Sequence, residues 1–385
     1  MPKSFHRDRF FWVVAVQTAI VNFYLGGFGP AQSLLRADQG TSLTIAGLHG
    51  TAMGIASIMA GWANPRIAHR FGRSRASWIG LSIFSTGLML FVISPPVYIT
   101  IPATLITGFG TSVVINTMLT KMSSHYGKSA EVAIPQANGI ASVGFVIGTA
   151  LIGTIAIAFP NLWRVGLLLA VPVALVLFLV GREKDQDEHV PDEDGPQGGK
   201  LSRSFWISWV GFIACISSEF AISFWAAALL KDRVGSTAAI STVAIVALGT
   251  GMGIGRWYGG LVLGHLKLDT QLLIIIALQF IGFVGFWLSH SMIISLVCLL
   301  AVGMGISMQF ALSSIRLIGL SEGRPDLAIG RASLAAGIAI AGAPFLLGLL
   351  GDNFGISRAY IMVFVLITIA FVIVKTIPSK VNEAV

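Results

Sequence analysis

Residues 208–230 read SWVGFIACISSEFAISFWAAALL. At a rise of 1.5 Å per residue, a run of about 20 apolar residues matches the ~30 Å hydrocarbon core of a bilayer. This run meets that length and composition, yet it carries Glu219 at its centre. A carboxylate there costs about 2.5–3.5 kcal/mol on insertion scales. Every other acidic residue can be placed in a loop or at a helix end. Glu219 is therefore the residue around which a function has to be sought.

Outward from it, the chain has the composition of a membrane protein. Of its 385 residues 55% are hydrophobic and 11% charged, against about 25% charged in a soluble chain. The net charge of +8 comes from basic residues dispersed over short loops, not from a basic face, so no nucleic-acid partner is expected. Cys215 and Cys298 both lie in apolar runs, which argues against a disulfide framework and a cysteine metal site. No metal and no cofactor are expected. The first apolar stretch follows Lys3, Arg7 and Arg9 and exceeds a signal-peptide core, so it reads as a retained helix.

Twelve apolar segments are expected, at 10–30, 43–63, 76–94, 97–120, 131–159, 162–181, 205–230, 237–263, 271–288, 291–314, 327–350 and 356–377. With both termini cytoplasmic, 19 of the 25 Lys and Arg face that side and five face the other. A plasma (inner) membrane location is expected. Residues 182–204, REKDQDEHVPDEDGPQGGKLSRS, differ in kind and read as a flexible cytoplasmic linker between residues 1–181 and 205–385. The halves look like copies: residues 144–164 lie on 338–358 at an offset of 194, placing Gly148 on Gly342 and Arg164 on Arg358. The fold class is thus all-α and polytopic, with twelve transmembrane helices in two pseudo-symmetric six-helix bundles.

The loop after the second segment, Pro65-Arg66-Ile67-Ala68-His69-Arg70-Phe71-Gly72-Arg73-Ser74-Arg75, resembles the G-x-x-x-D-R-x-G-R-x-R signature of the major facilitator superfamily. The resemblance extends over essentially the full chain. Arg70, Gly72, Arg73 and Arg75 match, whereas Pro65 replaces the glycine and His69 the aspartate. In that family the loop pairs charges across the cytoplasmic face, which makes Arg70 and Arg73 candidate gate residues. Thr104 stands where many proton antiporters carry an arginine. Phe145 stands for the proline of their helix-five motif. Both departures weigh against a drug–proton antiporter. Glu219-Phe220, Phe224-Trp225 and Gly253, Gly255, Arg256 resemble the fucose-permease-like branch.

The resemblance implies a central cavity lined by helices one, four, seven and ten, and helical periodicity tests this separately. At 100° per residue, Ser208, Cys215 and Ser223 fall within about 40° of Glu219. Gly305, Gln309, Ser313 and Arg316 share a face of helix ten. Thr100, Thr104, Thr107 and Thr111 do so on helix four, and Gln17, Tyr24 and Phe28 on helix one. Polar stripes of this kind suit a water-filled path. The expected substrate-binding set is Gln17, Tyr24, Thr107, Thr111, Ser223, Gln309, Ser313 and Arg316. Glu219 is the candidate proton-coupling residue, with Arg256 its charge partner or a cytoplasmic gate.

Each residue also has a plainer reading. Membrane threonines bond back to their own helix, and glutamines fix helix packing. His49 is either a proton relay or a histidine satisfied between helices. Arg36 and Arg316 snorkel to water near opposite mouths. The expected function is a monomeric secondary transporter, not an enzyme, that moves a small polar organic solute, sugar-like or an organic acid, with a proton through Glu219. Efflux of amphipathic compounds is the alternative, and a non-transporting sensor on the same fold a third.

Overall fold

The computed structural model describes residues 6–181 and 199–379. Among these, twelve helices are long and apolar enough to cross a membrane. They are α1 (Arg9–Phe28), α2 (Leu43–Phe71), α3 (Arg73–Ile93), α4 (Val97–Tyr126), α5 (Val132–Ala158), α6 (Pro160–Gly181), α7 (Arg203–Val234), α8 (Ala238–Leu263), α9 (Leu268–Leu288), α10 (Met292–Gly319), α11 (Leu327–Phe354) and α12 (Ile356–Thr376). Hydrocarbon offers no water to a backbone N–H or C=O, so a helix that pairs these groups internally is the form such sequences take.

Polar residues set the ends. Asp8, Ser42, Ser202 and Thr237 each accept a hydrogen bond from the amide three residues on, opening α1, α2, α7 and α8. Gly235, at φ 71°, closes α7 in the left-handed conformation that favours glycine. Two helices outrun their apolar patterns: the second continues through Pro65 to Phe71, and the fourth reaches Tyr126. Pro65 removes one backbone hydrogen bond, and its exposed turn can pair the freed carbonyl with water. One element was not foreseen, the short helix Gln32–Gln39, which packs against α7. Of the expected linker, residues 182–198 lie outside the described residues.

The helices form two six-helix bundles. The pairings α1–α5, α2–α4, α3–α4 and α1–α6 recur six helices later as α7–α11, α8–α10, α9–α10 and α7–α12. Between bundles, α2 packs along α11 and α5 along α8. Glycine makes these contacts close. A Cβ on Gly54 would strike Ala341, and one on Gly337 would strike Ile58, so α2 and α11 lie in close contact, with backbone on backbone at Gly54. Their contact extends to Gly61 and Ser333; beyond it Trp62 is 70% exposed and a Cβ on Gly330 would meet nothing within 4 Å. The bundles thus meet tightly at the face opposite the termini (the far face), and α2 and α11 part toward the termini face.

Four spans are interrupted. The break in α10 bears on function: Ser307 and Met308 leave the helix between Met292–Ile306 and Gln309–Gly319. Irregular backbone at membrane depth is tolerated where protein or an aqueous cavity meets its freed groups.

Candidate functional site

α7 is the most enclosed of the spans, with 72% of its apolar window buried. Glu219 sits midway along it, packed deep among protein atoms while keeping part of its surface accessible, the behaviour of a side chain lining an internal cavity. Among the described residues no group hydrogen-bonds or ion-pairs with its carboxylate. Arg256 is the opposite charge that acts on it through space.

Arg256 itself is bound elsewhere. Its Nη1 donates to Ser142 Oγ on α5 at 2.8 Å, and its Nε to the Ser307 carbonyl at 3.4 Å. The break in α10 presents that carbonyl, and the Ser142 bond crosses from one bundle to the other. Beside it, the Trp257 ring fills the space above Gly139 of α5, where a Cβ would come within 2.7 Å of it. Arg7 lies over the same ring at 5.6 Å. The alternate glycines of α8 now have a reason. Gly249 and Gly253 face Phe145 and Ser142 of α5, while Gly251 and Gly255 face Leu300 and Ser307 of α10. Residues two apart point to nearly opposite sides of a helix, so one run serves two close interfaces.

The sequence-predicted binding residues divide into two groups. Gln17, Tyr24 and Thr111 are buried, and Gln17 Nε2, the Tyr24 hydroxyl and Thr111 Oγ1 have no protein hydrogen-bond partner. Buried polar groups are rarely left so, and those that are call for a water, an ion or a ligand. Gln309 is held by packing: its Nε2 donates to Gln279 Oε1 at 2.7 Å, and Gln279 Nε2 donates to Ser218 Oγ at 2.9 Å. Its Oε1 remains without a partner. Ser313 sits beside Cys215 on the Glu219 face of α7, and the Ser223 carbonyl lies against Gly29, the residue that ends α1.

Other expectations need correction. Thr107 faces α3, where a Cβ on Gly87 would come within 2.5 Å of its hydroxyl, and it donates to the Ala103 carbonyl at 2.8 Å. Its place is a helix contact. Arg316 does not snorkel; it is 2% exposed, with Nε on Asp269 Oδ1 at 2.9 Å, Nη1 on Ser208 Oγ at 2.8 Å and Nη2 on the Ile377 carbonyl. A buried guanidinium has to be paired this fully because its desolvation is costly. Arg36 is exposed as expected. Arg70 and Arg73 form no ion pair with any described residue; Arg70 lies over the Phe71 ring at 5.3 Å. His49 is satisfied between helices, with Nδ1 on the Ala46 carbonyl at 3.0 Å and Nε2 on Thr100 Oγ1 at 2.9 Å.

Sequence reasoning missed two features. Gln279 escaped because helix nine is not a cavity helix in the family scheme. The aromatic closure was visible only as isolated rings: Phe28 meets Phe224 at 6.1 Å and Phe91 at 5.3 Å, and Phe224 meets Phe220 at 6.3 Å, joining α1 to α7 toward the far face. Among the described residues no three His, Cys, Asp or Glu side chains converge as metal ligands.

Two six-helix bundles meeting around an intramembrane acid are the architecture of a secondary transporter. Residues 14–318 match the Major Facilitator Superfamily, and the chain belongs to that superfamily. It is a transporter by class, not an enzyme. No curated protein matches the sequence. Among solved structures the fold is similar to that of a mutant of the nucleoside transporter NupG, with a TM-score of 0.77 and 9% identity over 96% of this chain and 99% of that one. It is also similar to a bacterial homolog of the human lysosomal transporter Spinster in an inward-facing and occupied conformation, with a TM-score of 0.71 and 12% identity over 97% of each chain. At these identities the likeness is one of fold.

Proposed function

We propose that this protein moves a small polar organic solute across the plasma (inner) membrane by alternating access, coupled to a proton through Glu219. The observation that carries the reading is the state of Glu219: an acid at mid-membrane, accessible from within, with no hydrogen-bonded partner among the described residues while the nearby Arg256 binds Ser142 and Ser307 instead. A carboxylate kept for structure alone would be held by its arginine. Unmet hydrogen-bonding capacity at Gln17, Tyr24, Thr111 and Gln309 supports a solute rich in hydroxyl or amide groups. Sugar-like molecules, nucleosides among them, and small organic acids belong to that class. The resemblance of Glu219-Phe220 and Phe224-Trp225 to the fucose-permease-like branch points the same way. The distribution of Lys and Arg favours both termini in the cytoplasm. The working unit is a monomer of two bundles, residues 1–181 and 205–385.

In this reading protonated Glu219 lets the bundles rock, and the ionised form draws on Arg256 and weakens the Ser142 bridge. The test is reconstitution in liposomes with an imposed pH gradient and a panel of polar metabolites. Glu219→Gln should abolish gradient-driven accumulation while preserving counterflow exchange. Undiminished accumulation by that variant excludes the coupling role.

The aromatic closure of Phe28, Phe91, Phe220 and Phe224 favours a second reading, efflux of amphipathic compounds. Resistance to lipophilic cations on expression would select it over growth on a polar nutrient.

A further inference from the structure

The family signature loop lacks its aspartate, since His69 stands in its place and is exposed. A comparable carboxylate contact exists on the other face. Asp352, in the last turn of α11, reaches across to the first turn of α2. Its Oδ1 accepts from the Leu43 amide at 2.9 Å, and its Oδ2 from the Thr44 amide at 2.7 Å and the Thr44 hydroxyl at 2.6 Å. These are orphan donors of a helix N-terminus, where backbone dipoles favour negative charge. Ser42 caps the same turn through the Ile45 amide, so Asp352 takes donors that the local cap leaves free. The carboxylate belongs to one bundle and the helix end to the other.

We infer that Asp352 is a positioning residue of the transport cycle: by binding the N-terminus of α2 it holds the far face shut, and this bond must break each time that face opens. The location fits. The far face is where the bundles also meet through Thr242 Oγ1 on the Pro30 carbonyl at 3.3 Å and Thr51 Oγ1 on the Ala341 carbonyl at 2.9 Å. Those are neutral bonds, and Asp352 supplies the charge-assisted ones, about twice as strong each. Closure of the two faces therefore rests on different chemistry, a carboxylate on backbone amides at one and the Arg256–Ser142 side-chain bond nearer the other. The inference depends on alternating access and not on the proton assignment of Glu219.

Spin labels at Ala37→Cys and Ile293→Cys, with Cys215 and Cys298 replaced by alanine, report the opening of the far face in full-length protein in nanodiscs. The wild type should show mainly one short distance. Asp352→Asn and Asp352→Ala should raise the ratio of long to short distances about tenfold, and Thr44→Val by less. Asn353→Ala should change nothing, because Asn353 bonds the Leu349 carbonyl of its own helix at 2.8 Å. Adding Glu219→Gln should leave the Asp352 effect in place, which separates the latch from the coupling site. If the Asp352 variants and Thr44→Val all reproduce the wild-type distribution, the latch does not exist. Should Asp352→Ala fail to fold, Asp352→Asn and Thr44→Val decide.

Discussion

Arg256 on α8 donates to Ser142 on α5 at 2.8 Å, joining the two bundles beside an acid it does not bind. Glu219 and Arg256 are thus near enough to act on each other and still not a pair. Removing either residue of the bridge should weaken closure toward the termini face. Ser142→Ala should raise labelling of a cysteine placed at Asn138, half-buried one turn from Ser142, by membrane-impermeant maleimide added from the termini side. Arg256→Lys should do the same, because an ammonium cannot span both the hydroxyl and the Ser307 carbonyl as the guanidinium fork does.

The glycines of α8 make a steric prediction. Gly251→Ala drives a methyl into the Leu300 carbonyl of α10 and should cost about 1–3 kcal/mol in thermal unfolding. Gly260→Ala meets nothing within 4 Å and should be neutral to stabilising by about 0.5–1 kcal/mol.

His49 should behave as a structural residue. Its ring joins the Ala46 carbonyl to the Thr100 hydroxyl, which also accepts from Gln39 Nε2 at 2.9 Å. His49→Ala should lower stability by about 1–3 kcal/mol. The shape of the transport pH profile between about pH 5 and 8 should stay the same. A displaced profile would restore the relay reading.

Arg316 and Asp269 form the ion pair that holds α10 to α9 near the termini face. Asp269→Asn strands a buried guanidinium and should destabilise by about 3–5 kcal/mol in urea unfolding, far more than removal of a surface pair. Exchange of solute per folded molecule should persist, because every N–H that Arg316 is seen to use serves the fold.

Asp8 supplies a pH dependence outside the membrane. Burial raises its pKa, but hydrogen bonds from the Tyr126 hydroxyl at 2.6 Å, the Phe11 amide at 2.9 Å and His125 at 2.9 Å outweigh this and hold the carboxyl below its usual value. A depressed folded pKa contributes stability above the ordinary carboxylate range, about 3.9, and loses it as pH falls through the folded value. Asp8→Asn should therefore lower the melting temperature at neutral pH and flatten its decline in acid. The effect should be below about 1 kcal/mol, since the carboxylate is 40% exposed.

By itself, the amino-acid sequence determined the number of spans, the duplication and the one costly acid. Hydrophobic length and charge placement are local quantities, and a bilayer converts them directly into helices. Glu219 was legible for the same reason, because nothing within its own segment can neutralise it. Partners were not legible. Arg316 and Gln17 both read as polar residues on a cavity stripe, yet Asp269 and Ser208 claim the first while the second keeps a free amide. The difference lies in residues tens of positions away. Asp352 was set aside as an acid at a helix end, and only the approach of α11 to α2 gave it the amides of Leu43 and Thr44. Periodicity assigns a side chain to a face of its helix. Which atoms meet it there is decided by how the bundles pack, and that packing is tight at the far face and looser toward the termini.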